Sequence, residues 1–359
     1  MTAPLVLAQR QAAAQRRIAV TAMAAALREW GLLDANDLRT SWSRISPRLV
    51  AVLSAGQLAA ARGADDYVAA AAAAQGATSE AEFSVEAAAF AGVAADGRPL
   101  ESLLARPLVA SLQSIGQGAD VAQALGVGRG LLGTIVRSEV ADAGRGAVGA
   151  AMTGRRTIQG YVRVVQPPAC GRCVILAGRE YGWNKGFLRH PRCDCIHLPT
   201  TLIARHQHRG GLNGDAFSPT NRLGSSTRGF IDPRAYFNAL SAAEQDRIFT
   251  AAGARAIREG ADMGQVVNAR RGMYTADAYG RRLAATREGT TRRGAFYRQE
   301  RARTEARTGT RFARDRTETR RGLPSFNLRT PRLMPEEIYR IAEDREDAIR
   351  MLRRFGYLT

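Results

Sequence analysis

All four cysteines of this 359-residue chain fall between positions 170 and 195. They are arranged as Cys170-x-x-Cys173, then His190-x-x-Cys193-x-Cys195, with His197 two residues further on. In a reducing compartment, clustered cysteines argue for metal rather than disulfides. A Cys-x-x-Cys turn lets two thiolates chelate one ion, and Gly171 makes that turn conformationally cheap. A second pair drawn from His190, Cys193 and Cys195 completes a tetrahedral zinc site. His190-x-x-Cys193 has chelate spacing. Cys193 and Cys195 share a face of an extended chain, so they are an equally open choice. His197 is the least suited by spacing. Nothing in the pattern marks an open catalytic position, so the expectation is a closed, structural zinc.

Around this cluster the periodicity is helical. Residues 4–31 read as one helix, with Val20, Met23, Leu27 and Trp30 on one face. Asp34 and Asn36 are candidate caps for the next helix. Pro47 separates two helical stretches, the second ending near Gly76. Ser79-x-x-Glu82 and Ser241-x-x-Glu244 have the capping-box pattern and should each open a helix. Residues 99–153 read as helix broken by glycines, with Gly128-x-Gly130-x-x-Gly133 as a flexible joint. Those letters match a dinucleotide fingerprint, but no strand precedes them. Ile158–Val165 alternates as a strand. Residues 233–270 are helical again, and Pro335–Tyr357 forms an amphipathic helix. The fold class is therefore mainly α. It comprises a helical docking region (1–155), a small central α+β zinc-knuckle unit (156–204), a linker (205–232), a helical segment (233–280), an Arg-rich stretch (281–332) and a C-terminal helix (333–359).

Charge narrows the partners. The chain carries 52 basic and 33 acidic residues, a net +19, and Lys185 is its one lysine. Sixteen of the arginines lie in 281–332 against five acidic residues, a composition that predicts disorder or folding on a partner. Arginine at this density neutralises phosphates, and Arg281, Arg282, Arg292, Arg293, Arg298, Arg301, Arg303, Arg320 and Arg321 are the candidate nucleic-acid contacts. Phe296, Tyr297 and Phe312 are candidate stacking residues for exposed bases. The equal alternative is a basic arm docked on an acidic protein surface. No run of about 18 apolar residues occurs, so no membrane span is expected. The N-terminus lacks the apolar core of a secretory signal.

The segment CGRCVILAGREYGWNKGFLRHPRCDCIHLP resembles the core of the MuF-like minor head proteins of tailed bacteriophages. Cys170, Cys173, Gly178, Tyr181, His190, Pro191, Cys193, Cys195 and Pro199 carry the resemblance. Asp194 stands where many relatives have Arg. The stretches AYFNALSAAEQDRIFTAAGARAIREGADMGQVVNARRGM and RLMPEEIYRIAEDREDAIRMLRRFGY are similar to the actinobacterial-phage branch. The likeness extends over about 160–359, and over 1–150 only in helical, alanine-rich style. It implies a low-copy, portal-associated virion protein of the capsid interior, assembled in the host cytoplasm. Its partners would be portal, shell and packaged double-stranded DNA, and its role would lie in head morphogenesis, packaging or ejection. That branch is often labelled capsid maturation protease. A Ser-His-acid site would have to draw on His206 or His208, with Ser218, Ser225 or Ser226 nearby. A zinc-dependent nuclease around Trp183, Asn184 and His190, or a toxin-like DNA-binding protein, are the further alternatives.

Overall fold

The computed structural model describes residues 3–78, 80–187, 189–201, 231–278 and 280–358. The fold is mainly α. The chain divides into two compact units, residues 1–167 with 176–231, and residues 168–175 with 232–359.

The first unit is a helical bundle carrying a small sheet. Its helices are α1 (Ala3–Trp30), α2 (Leu38–Ala61), α3 (Ala64–Ala73), α4 (Leu100–Gly116) and α5 (Val121–Thr153). α5 packs against all four others. One core joins Trp30, Ile45, Leu49, Leu53, Leu104, Leu132 and Val136. A second joins Leu5, Tyr67, Val68, Met152, Tyr161, Val162 and Leu198.

Several local expectations yield here to packing. Asp37, rather than Asp34 or Asn36, caps α2 by accepting from the Thr40 amide. Pro47 does not divide the helix; α2 runs through it. An interior proline costs about 3 kcal/mol. Burying Ile45, Leu49 and Leu53 on one stripe returns about 1.5–3 kcal/mol per side chain. The break falls instead at Arg62–Gly63, where Gly63 has φ +75°. Residues 80–86 form no helix, and Ser79 of that expected capping box lies outside the described residues. Tertiary partners take the backbone there: the Glu82 amide donates to Gly154 O and the Val85 amide to Asp65. The 128–133 glycines form no joint, because they lie inside the continuous α5. A Cβ on Gly128 would sit 2.7 Å from both Pro107 O and Trp30 Cζ2, and closer still to Ser111 Oγ. Glycine serves there as a close-packing residue.

The sheet has strand order β2-β1-β3, from β1 (Gly160–Val164), β2 (Glu180–Gly182) and β3 (Ile196–Thr200), all antiparallel. β1 is the expected strand and is buried along its whole length. The outer edge of β3 is covered by α3. Gln75 donates to Pro199 O and accepts from the Thr201 amide, and the Tyr67 hydroxyl donates to His197 O.

The second unit contains α6 (Gly171–Val174), α7 (Pro233–Ala239), α8 (Ala242–Phe249), α9 (Ala251–Arg258), α10 (Met263–Ala269), α11 (Ala295–Thr308), α12 (Arg316–Arg320), α13 (Pro335–Ile341) and α14 (Arg345–Arg354). The Ser241–Glu244 capping box forms and opens α8. β4 (Met273–Ala278), β5 (Arg281–Thr286) and β6 (Arg332–Leu333) form an antiparallel sheet of order β4-β5-β6. Over 281–332, where composition reads as disordered, the chain thus forms strand and helix. Its few acids hold the arginines, as in Arg303–Glu300 and Arg311–Glu318, and Tyr297, Phe312 and Phe326 pack ring on ring. The C-terminal amphipathic stretch is two helices, because Ala342 turns extended and Asp344 caps α14. The core gathers Phe237, Phe249, Ile257, Phe296, Leu333, Ile338, Leu352 and Phe355. Arg332 is fully buried among them. Its guanidinium donates to Phe355 O, Glu288 O, Gly356 O and Gln265 Oε1, and lies 4.2 Å from the Tyr357 ring centroid. Burial pushes its pKa down from the ordinary arginine value.

Candidate metal centre

The Cys-x-x-Cys pair sits on α6, a single turn. Cys170 is its N-cap, and the sulfur accepts from the Cys173 amide at 3.4 Å. Space rather than the turn favours glycine at 171: its backbone is helical, and a Cβ would come within 2.8 Å of the Phe249 ring.

The other candidate ligands lie on the turn before β3. The Cys193 amide donates to His190 O at 3.1 Å. Arg192 has φ +65°, a left-handed conformation that costs a non-glycine residue energy and needs outside support. α5 gives that support: the Arg192 amide donates to Ser138 Oγ at 3.0 Å and its Nε to Thr134 Oγ1 at 2.8 Å. Further along α5, the buried Arg145 donates to Cys193 O at 3.0 Å and Cys195 O at 2.9 Å. Asp142 holds Arg145 in place and also pairs with Arg189 at 2.5 Å. Arg163, the fourth of the five β1 residues and fully buried, points a nitrogen at Cys195 Sγ (3.4 Å) and Cys193 Sγ (3.7 Å). Asp194 turns outward to Arg16 at 2.8 Å and Arg137 at 3.9 Å.

Of the candidate ligands, Cys170 and Cys173 belong to the second unit and His190, Cys193 and Cys195 to the first. These cysteines and His190 are residues that could ligate a metal ion, and their donor types suit zinc. Two further details fit. His190 Nδ1 lies 2.8 Å from Pro191 O, which can only accept, so Nδ1 carries the proton and Nε2 keeps its lone pair for a metal. Arg163 places a guanidinium against two sulfurs, which offsets the negative charge of a multi-thiolate site. His197 is not among these candidate ligands. Its ring lies against Tyr161 and Phe187, and burial, helped by Arg145, Arg189 and Arg163, pushes its pKa down to about 3.

Arg145, Arg163 and Asp142 are supporting residues that sequence reasoning misses. The one available signal is Arg163, a charge inside an otherwise apolar strand.

The basic candidates spread over several elements of the second unit. Arg281 and Arg282 are exposed at the start of β5, Arg298 on α11, and Arg320 and Arg321 at the end of α12. Arg293 is also exposed. Arg292 donates to Ser325 Oγ, Arg301 pairs with Glu305 and Arg303 with Glu300. Phe296 and Tyr297 are not available for base stacking because both are buried in the core, and Phe312 packs on Phe326. His206, His208, Ser218, Ser225 and Ser226, on which a protease reading would draw, lie outside the described residues.

These features define a mainly helical protein that carries Cys and His residues of metal-ligating type. The VG15 protein family matches residues 3–209, more than half of the chain, and the chain belongs to that family. VG15 is a viral gene-product family, and membership supports a phage origin. The match takes in the N-terminal helices, where the likeness to MuF-like proteins holds only in style. It ends before residues 233–270, the second helical stretch on which that likeness also leans. No curated protein and no solved structure matches the chain.

Proposed function

We propose that this chain is a minor head protein of a tailed phage, of the MuF-like kind. In this reading it associates with the portal inside the capsid and serves head assembly and DNA packaging or ejection. The set of Cys and His candidate ligands in a chain of the VG15 family is the observation that carries the reading. Zinc held by Cys170, Cys173 and two of His190, Cys193 and Cys195 would supply folding energy rather than chemistry. The alanine-rich helices of residues 1–155 dock on portal or shell. Arg281, Arg282, Arg298, Arg320 and Arg321 meet the phosphates of double-stranded DNA.

Quantitative mass spectrometry of purified virions tests the role. A few intact copies per particle are expected. Absence from the particle, or presence only as self-cleaved fragments beside a trimmed capsid protein, overturns it. Zinc is tested separately by metal analysis of the full chain: about one ion per chain is expected, lost together with part of the folded stability in the Cys170→Ser, Cys173→Ser double variant. Cooperative unfolding that persists unchanged without metal rejects a structural zinc.

A further inference from the structure

A cleft of about 430 Å³ opens beside α5 in the first unit. Phe90 and Phe187 line it with apolar rings, and Glu139, Asp142, Arg145, Arg189 and His197 supply its ionisable groups. Most of these polar groups are already committed. Asp142 takes Arg145 and Arg189, and Gln57, also in the lining, is engaged at both ends by Gly92 N and Val93 O. Two are not. Glu139 accepts one backbone amide, from Ala95 at 2.7 Å, and among the described residues it makes no ion pair. Burial raises its pKa, and Asp142 and Asp96 raise it further. His197 Nδ1 is buried with no hydrogen-bond partner.

A ligand that suits these groups carries a positive charge for Glu139, N–H donors diverging toward a second acceptor, and a flat face for an aromatic wall. A guanidinium has all three, whereas an ammonium is a compact, strongly hydrated point charge without a planar face. The cleft region already holds guanidinium groups by the same chemistry: Arg163 lies 4.1 Å from the Phe187 ring centroid, and Arg189 pairs with Asp142. We propose that this cleft receives an arginine side chain of a partner polypeptide, paired with Glu139, donating to His197 Nδ1 and lying against Phe90 or Phe187. The proposal does not depend on zinc or on the virion role.

The test is calorimetric titration of the full chain with acetyl-arginine amide and with acetyl-citrulline amide, which keeps the shape and loses the charge. The arginine compound should bind at least about tenfold more tightly, and Glu139→Gln should remove that preference while leaving the melting temperature unchanged. Equal affinities, no binding at millimolar concentration, or an undiminished preference in Glu139→Gln would overturn the proposal. The citrulline comparison uses unaltered protein, so it remains decisive even if the variant fails to fold.

Discussion

Each unit buries arginine completely, and the surroundings differ in kind. In the first, Arg145 spans Asp142 and two cysteine carbonyls, and Arg163 faces two sulfurs. In the second, Arg332 is met by amide oxygens and a tyrosine ring, with no carboxylate in ion-pair contact among the described residues. Desolvating a charge is expensive, so a buried guanidinium persists only among polar partners. The difference separates two uses of one side chain. Arg332 is a peg for the chain's own backbone, whereas Arg163 and Arg145 prepare a sulfur-rich turn for something further.

Arg332→Met should break that contrast most severely. It strands three backbone carbonyls and Gln265 in the core, a loss of about 3–5 kcal/mol by the standard of a broken buried network. Urea denaturation with hydrogen exchange across 332–358 reads the effect, and a loss below about 1 kcal/mol would show that those carbonyls do not depend on the guanidinium. Arg163→Met sharpens the other side. Zinc affinity, measured by chelator competition, should fall about 10–100-fold, as when an outer-shell partner of a metal ligand is removed. An unchanged affinity would reduce Arg163 to a packing residue.

Glycines within α5 give a smaller contrast. Gly128→Ala should destabilise by about 1–3 kcal/mol because its methyl meets backbone and ring. Gly130→Ala, two residues on with nothing within 4 Å, should stabilise by about 0.5–1 kcal/mol. Thermal melts of the pair test the sign. Asp120→Ala, which removes the cap accepting from Ala122 and Gln123, should cost about 1 kcal/mol.

What the sequence discloses depends on how local each signal is. α1 is expected at 4–31 and spans Ala3–Trp30, and the Ser241 box and the β1 strand appear where their residues point. These signals need only neighbours in the chain. Pro47 and Gly128 mislead because partners far away in sequence decide them. The β4–β5 hairpin escapes notice because Arg281 and Arg282 make its second strand read as polar, and the Phe296–Tyr297 pair reads as exposed in so basic a stretch. At the candidate centre the cysteine spacing is legible. Arg145 is not, since nothing in a run of alanines and glycines tells which face meets a loop 48 residues later.

α5 is 33 residues long, about 50 Å of unbroken helix. Thr134, Ser138, Asp142 and Arg145 meet the cysteine turn from one side of it, and Val136, Val140 and Val148 enter the two cores from another. Deleting a single residue near position 141 would rotate everything beyond it by about 100° relative to what came before. The gears would no longer mesh: either Arg145 and Val148 or Val136 and Val140 could face their partners, not both pairs. Length variation among natural relatives should therefore be absent from the middle of this helix and collect in the segments at either end, 117–120 and 154–159.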